Sequence, residues 1–268
     1  MNRTVPEAAS FAAPSPSLRR LVAAEGRKLF SSRAWLWMLL ASTAWTILYS
    51  ALAIAFNGVG EPSLSGALGQ RTLLAIGAGG AGPLVAILGA VGVTSEFRHR
   101  TATTTFLAIP RRGYVAAAKV ATYLLAGVGY ALLCLAVNLA IAVPWLAARR
   151  IGIAPSGLGD IGVITAVVVS VALFGVAGVG LGLLCRAQLA TVMALLIYLY
   201  VVEPLISHIA VIHGFTQYLP GVAADGLTQA TQSGVLLLSP WMGGLVFAGY
   251  GVALVLAGTW LTLRRDIA

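Results

Sequence analysis

The residues able to do chemistry in this chain are few, and most of them gather in one place. Glu96-Phe97-Arg98-His99-Arg100-Thr101-Ala102-Thr103-Thr104-Thr105, continuing Phe106-Leu107-Ala108-Ile109-Pro110-Arg111-Arg112, form a polar, basic island between two long apolar runs. Glu96 closes the first run, where Arg98 and Arg100 can pair with it. Thr101 to Leu107 can form a short helix, which Pro110 breaks. A short helix braced between two membrane helices can be pushed by a soluble partner and pass the push to both. The bland counterpart is a basic loop that only fixes orientation.

Other candidates are isolated. Glu203-Pro204 stands near the end of a later apolar run, and a carboxylate at membrane depth is costly and a functional candidate. Pro204 lacks a backbone donor, so the run can also end at Val202 and leave Glu203 at the interface. His208 and His213 are five apart, outside the i, i+4 spacing that puts two metal ligands on one helical face. Cys134 and Cys185 fall in or at the ends of apolar runs and read as buried free thiols. The chain has no Gly-x-x-x-x-Gly-Lys-Ser/Thr phosphate loop, no Gly-x-Ser-x-Gly elbow and no His-Glu-x-x-His. No catalytic set and no metal or cofactor site are expected.

The elements that must position these residues are membrane spans. The chain is 59% hydrophobic and 9% charged, where a soluble domain carries roughly 25% charge. Spans of about 20 apolar residues are expected at 34–56, 73–94, 120–146, 161–184, 189–206 and 240–263. The expected fold is all-α: a six-helix transmembrane domain over 34–268, preceded by a disordered tail (1–17) and an amphipathic interfacial helix (18–33). In that helix Leu18, Leu21, Val22 and Leu29 share a face. Glu25 falls on the same face and calls for a cationic partner. A loop at 95–119 holds the island, and the apolar but broken stretch 207–239 reads as a re-entrant pair of short helices.

Glycines punctuate two spans. Gly178 and Gly182 are four apart, a spacing that lets helix backbones approach closely. The cluster Gly77, Gly79, Gly80, Gly82 and Pro83 reads as either a kink or a broken helix. The net charge of +9 would suggest nucleic acid in a soluble protein; in a membrane protein it reports orientation, and no nucleic-acid partner is expected. With both termini and the island inside, all of the 17 basic residues except Arg71, Arg149 and Arg150 face the cytoplasm.

The island resembles the cytoplasmic loop of ABC-2 type transporter permeases, whose pattern is roughly Glu-aromatic-Arg, a Thr soon after, then Pro-x-Arg and a Lys at the next span. Here these are Glu96, Phe97, Arg98, Thr101 with Thr104, Phe106, Pro110, Arg112 and Lys119. Glu25-x-x-Lys28-Leu29 before the first span and the six-span order are also similar; Arg100 departs, since many relatives carry glycine there.

The resemblance implies the permease subunit of a bacterial ATP-binding-cassette exporter in the cell membrane. Such a subunit has no ATPase site of its own and is not an enzyme. ATP and Mg would be bound by a separate nucleotide-binding subunit docked on a coupling helix near 101–108. A second permease subunit, identical or related, would complete the path for an amphipathic drug, antibiotic, peptide or lipid. The alternative is a stand-alone integral membrane enzyme or membrane assembly factor.

Overall fold

The structure is a computed structural model that describes residues 17–57, 63–98, 112–207, 213–229 and 236–264. Among these residues every regular element is helical. The chain begins with α1 (Leu18–Ser31), α2 (Ala34–Ala55), α3 (Ala67–Gly77), α4 (Ala81–Arg98) and α5 (Arg112–Ala148). It continues through α6 (Ile161–Cys185), α7 (Gln188–Ile197), a π-helical turn (Tyr198–Val202), α8 (Glu203–Ser207), α9 (His213–Thr216), α10 (Pro220–Thr228) and α11 (Pro240–Arg264).

Among the described residues six stretches are long and apolar enough to cross a membrane: Ala34–Ala55, Ala67–Arg98, Gly113–Ala148, Ile161–Cys185, Gln188–Ser207 and Pro240–Leu261. The core lies on α6, whose most apolar window is 67% buried against 17% for the first, fifth and sixth spans. α6 packs against α4, α5 and α11. Glycine makes this possible. A Cβ at Gly178 would overlap the Ala86 carbonyl of α4, and one at Gly182 would stand 3.0 Å from the Ala90 oxygen. In lipid there is little hydrophobic drive between helices, so close van der Waals contact has to hold them together. Asp160 caps α6 by accepting the Gly162 N–H at 2.8 Å. At the other end Arg186 adopts the left-handed conformation (φ 58°) and donates its N–H to Gly182.

Three features differ from the sequence-based expectation. Of the two readings open for residues 77–83 the second span takes the broken helix, α3 and α4, and it starts at Ala67 and not at 73. The polar residue there, Gln70, is fully buried and satisfied: its amide nitrogen donates to the Leu64 and Gly152 carbonyls, and its oxygen accepts from Ala154 and Leu158. The third span begins at Arg112 and is 37 residues long, about 55 Å at 1.5 Å per residue, so the segment joining α4 to α5 is 99–111 and not 95–119. The fifth span runs to Ser207, as the expected span 189–206 has it, and does not take the alternative end at Val202. Pro204 lacks the N–H that an α-turn would use, and the chain continues by shifting to the π turn, with Glu203 N–H bonding Tyr198 O. Finally, Cys185 is exposed while Cys134 is buried.

At the break, residues 78–80, the Ala81 N–H turns to Ala78 O and leaves Gly77 O without its helical donor, while Ile76 O keeps the Gly80 N–H; side chains from neighbouring helices bond the carbonyls around it. Trp45 Nε1 donates to Ile76 O at 3.2 Å, Thr46 Oγ1 to Gly77 O at 3.0 Å, and Asn138 Nδ2 to Leu73 O at 3.1 Å. Irregular backbone survives at membrane depth only where protein satisfies it in this way.

Candidate functional site

α1 buries Leu21, Glu25 and Leu29, an i, i+4, i+8 stripe, against α5; Leu18 is exposed. Glu25, the one charge on that stripe, meets two lysines. Its Oε1 accepts from Lys28 Nζ at 2.6 Å and its Oε2 from Lys119 Nζ at 2.7 Å. Both lysines also reach Glu96 Oε1 at the end of α4, at 2.8 and 2.7 Å. Two carboxylates and two ammonium groups thus form a closed, charge-balanced ring across α1, α4 and α5.

The ring is graded in exposure. The Lys119 side chain is 4% exposed, Glu25 8%, Glu96 13% and Lys28 48%. Burial opposes the charge on Lys28, but hydrogen bonds and attraction from Glu25 and Glu96 outweigh it and raise the ammonium above its ordinary value. Lys28 and Lys119 are the only lysines in the chain. A compact ammonium with three donors can bridge two carboxylates where a planar guanidinium would demand a fork of space.

Arg98 does not pair with Glu96. It stands two residues further along α4, and residues two apart on a helix face different ways; its guanidinium reaches Gln188 Oε1 at 3.4 Å. Phe97 packs against the core, and the Arg186 guanidinium lies 5.3 Å from its ring centre. Thr101, Thr104, Phe106 and Pro110 lie outside the described residues, as do Arg100 and the side chain of Arg112. Of the island's candidates the ring therefore gathers Glu96 and Lys119, and it brings in Glu25 and Lys28 from 68 or more residues away.

A second polar site lies far along the chain. Glu203 opens α8 and is 4% exposed. Its Oε1 accepts the Val222 N–H at 2.7 Å, so the carboxylate sits at the N-terminus of α10, where the helix dipole favours negative charge. It can do so because residue 221 is glycine: a Cβ there would stand 2.7 and 2.8 Å from the two carboxylate oxygens. Asp225, outside the six spans, is pushed up to about 7 by burial first and by the nearby Glu203 charge second. Sequence reasoning passed over Asp225, Gln70 and Asn138. The one available signal was a polar residue inside or beside an apolar run.

No family model matches the chain, and neither does any curated protein or solved structure. The helices and the buried charges define the class: an all-helical, multi-pass membrane protein with a charged knot at one end of its bundle.

Proposed function

We propose that this chain is the permease subunit of an ATP-binding-cassette exporter, docking a separate nucleotide-binding subunit through the segment 99–111. The observation that carries the reading is the Glu25–Lys28–Glu96–Lys119 ring. It ties the two helices that flank 99–111 to each other and to α1, so a force applied to that segment moves α1, α4 and α5 as one block. Energetic coupling over a distance needs such a contiguous, stiff connection. The lightly packed first and fifth spans offer faces for lipid and for a second permease. In this reading both termini are cytoplasmic, the membrane is a bacterial cell membrane, and the cargo is an amphipathic drug, antibiotic, peptide or lipid.

The test is to co-express the tagged chain with the nucleotide-binding protein encoded beside it and to assay ATP hydrolysis in lipid. The expected result is a stable complex whose hydrolysis falls about tenfold in Glu96→Gln while the complex still assembles in the membrane. A well-folded chain that captures no such subunit and supports no hydrolysis would overturn the proposal and favour a membrane enzyme.

A further inference from the structure

Next to Glu203 lies a cavity of about 170 Å³. Its walls include Phe174, Leu199 and Tyr200 on the apolar side and Glu203, Ser207 and Asp225 on the polar side. Phe174 is held edge-to-face against Phe247, with ring centres 4.7 Å apart. Two carboxylates therefore line one small hollow, and no described residue lining it is cationic.

Glu203 is committed only in part. Oε1 is bound by the Val222 N–H, and the Gly221 N–H and Tyr198 hydroxyl also lie close to the carboxylate, while the buried Oε2 makes no hydrogen bond of normal geometry. A buried carboxylate oxygen left without a donor is costly, and an occupant that supplies positive charge would relieve that cost. The π turn just before Glu203 is a second mark, since such turns concentrate at functional sites.

The walls also select among cations. A bare Mg or Ca ion needs six or more oxygen ligands, and here one side of the hollow is hydrocarbon and aromatic ring. An organic ammonium carries its charge inside a shell of carbon. That matches a site with carboxylates on one side and aromatic rings, which attract cations, on the other. The size agrees: a cavity of about 150 Å³ accepts benzene, so the hollow has room for a head group of six or seven heavy atoms. We propose that the cavity between α6, α8 and α10 binds an organic ammonium group, with Glu203 as its counter-ion and Asp225 as the second carboxylate. The proposal stands apart from the permease reading, because the site lies within this chain alone.

The experiment uses the purified full chain in dodecyl maltoside, which contains no ammonium group, and reads binding by saturation-transfer NMR. The probes are choline and its neutral carbon counterpart 3,3-dimethyl-1-butanol, which has the same shape without the charge. Saturable choline binding, at least tenfold tighter than the alcohol, is expected. Glu203→Gln should weaken it tenfold or more, because glutamine keeps an oxygen for the Val222 N–H but removes the charge. Asp225→Asn should weaken it several-fold. Should Glu203→Gln fail to fold, the comparison of probes on the unaltered chain together with Asp225→Asn decides the matter. Equal binding of choline and the alcohol, unchanged choline binding in the variants, or no saturable choline binding would each overturn the proposal. None of these results depends on a nucleotide-binding subunit.

Discussion

Removing the Lys119 charge should unbalance the ring more than removing that of Lys28, although each lysine bonds the same two carboxylates. Lys119→Met keeps an unbranched apolar stem and deletes only the ammonium. Glu25 and Glu96 are then left facing each other with Lys28 as the remaining lysine of the ring, at side-chain exposures of 8% and 13%. Breaking a buried pair from one side costs about 3–5 kcal/mol. Lys28 is 48% exposed, so water replaces much of what it supplies, and Lys28→Met should cost about 1 kcal/mol or less. Restoring the balance gives the sharper test. In Glu25→Gln/Lys119→Met one carboxylate and one ammonium remain, Glu96 and Lys28, already 2.8 Å apart. The double variant should therefore be more stable than Lys119→Met alone by about 1 kcal/mol or more. Thermal unfolding in detergent, followed by tryptophan fluorescence, reads all four proteins. On the soluble-protein scale of roughly 2–4 °C per kcal/mol for chains of this size, Lys119→Met should melt about 6–20 °C lower. Equal losses for the two lysine variants, or a double variant no better than Lys119→Met, would refute the reasoning.

Two further outcomes are expected. Gly178→Ala should lower the melting temperature, since its Cβ would overlap a backbone oxygen that cannot rotate away, and overpacking costs about 1–3 kcal/mol. Gly129→Ala, where no atom lies within 4 Å of the added carbon, should be neutral or slightly stabilising; equal effects would discount close packing at Gly178. At the opposite end of the bundle, Arg71 Nη2 meets Asp160 Oδ2 at 2.7 Å. Although burial pulls the other way, the Arg71 bond and the N–H groups of Gly162 and Val163 hold that carboxyl below its ordinary 3.8. A carboxyl with a depressed value contributes stability above its unfolded value and loses it as pH falls through the folded one. The chain should therefore melt higher than Asp160→Asn at pH 5–7, and the gap should close below pH 3. A gap constant across that range would remove the ion pair from the account.

Much of the architecture was legible because lipid imposes length and hydrophobicity on each span. The stretches that escaped were those where a polar residue is buried by partners distant in sequence. Gln70 stood outside the expected span 73–94 until the carbonyls and amides of residues 64, 152, 154 and 158 were brought around it. Residues 112–119 passed for loop because Lys119 is charged, and they are helical because Lys119 has two carboxylates to bury against. For Glu25 the apolar periodicity signalled that a cation must come, but Lys119 is 94 residues away and periodicity carries no such distance. The glycine and proline cluster at residues 77–83 marked an irregularity; whether it was a kink or a break depended on a distant Thr46 standing ready to take the freed Gly77 carbonyl.

The scarcity of lysine gives the ring a use as a reporter. Apart from the amino terminus, the chain offers two primary amines to acylating reagents, and both belong to the same cluster. Lys28 is open to solvent, whereas the Lys119 side chain is 4% exposed and enclosed by two carboxylates. Acylation at Lys119, read against Lys28 by mass spectrometry, therefore clocks how often α1, α4 and α5 part. The unaltered chain carries its own two-site gauge of that motion, with one amine as sensor and the other as internal standard.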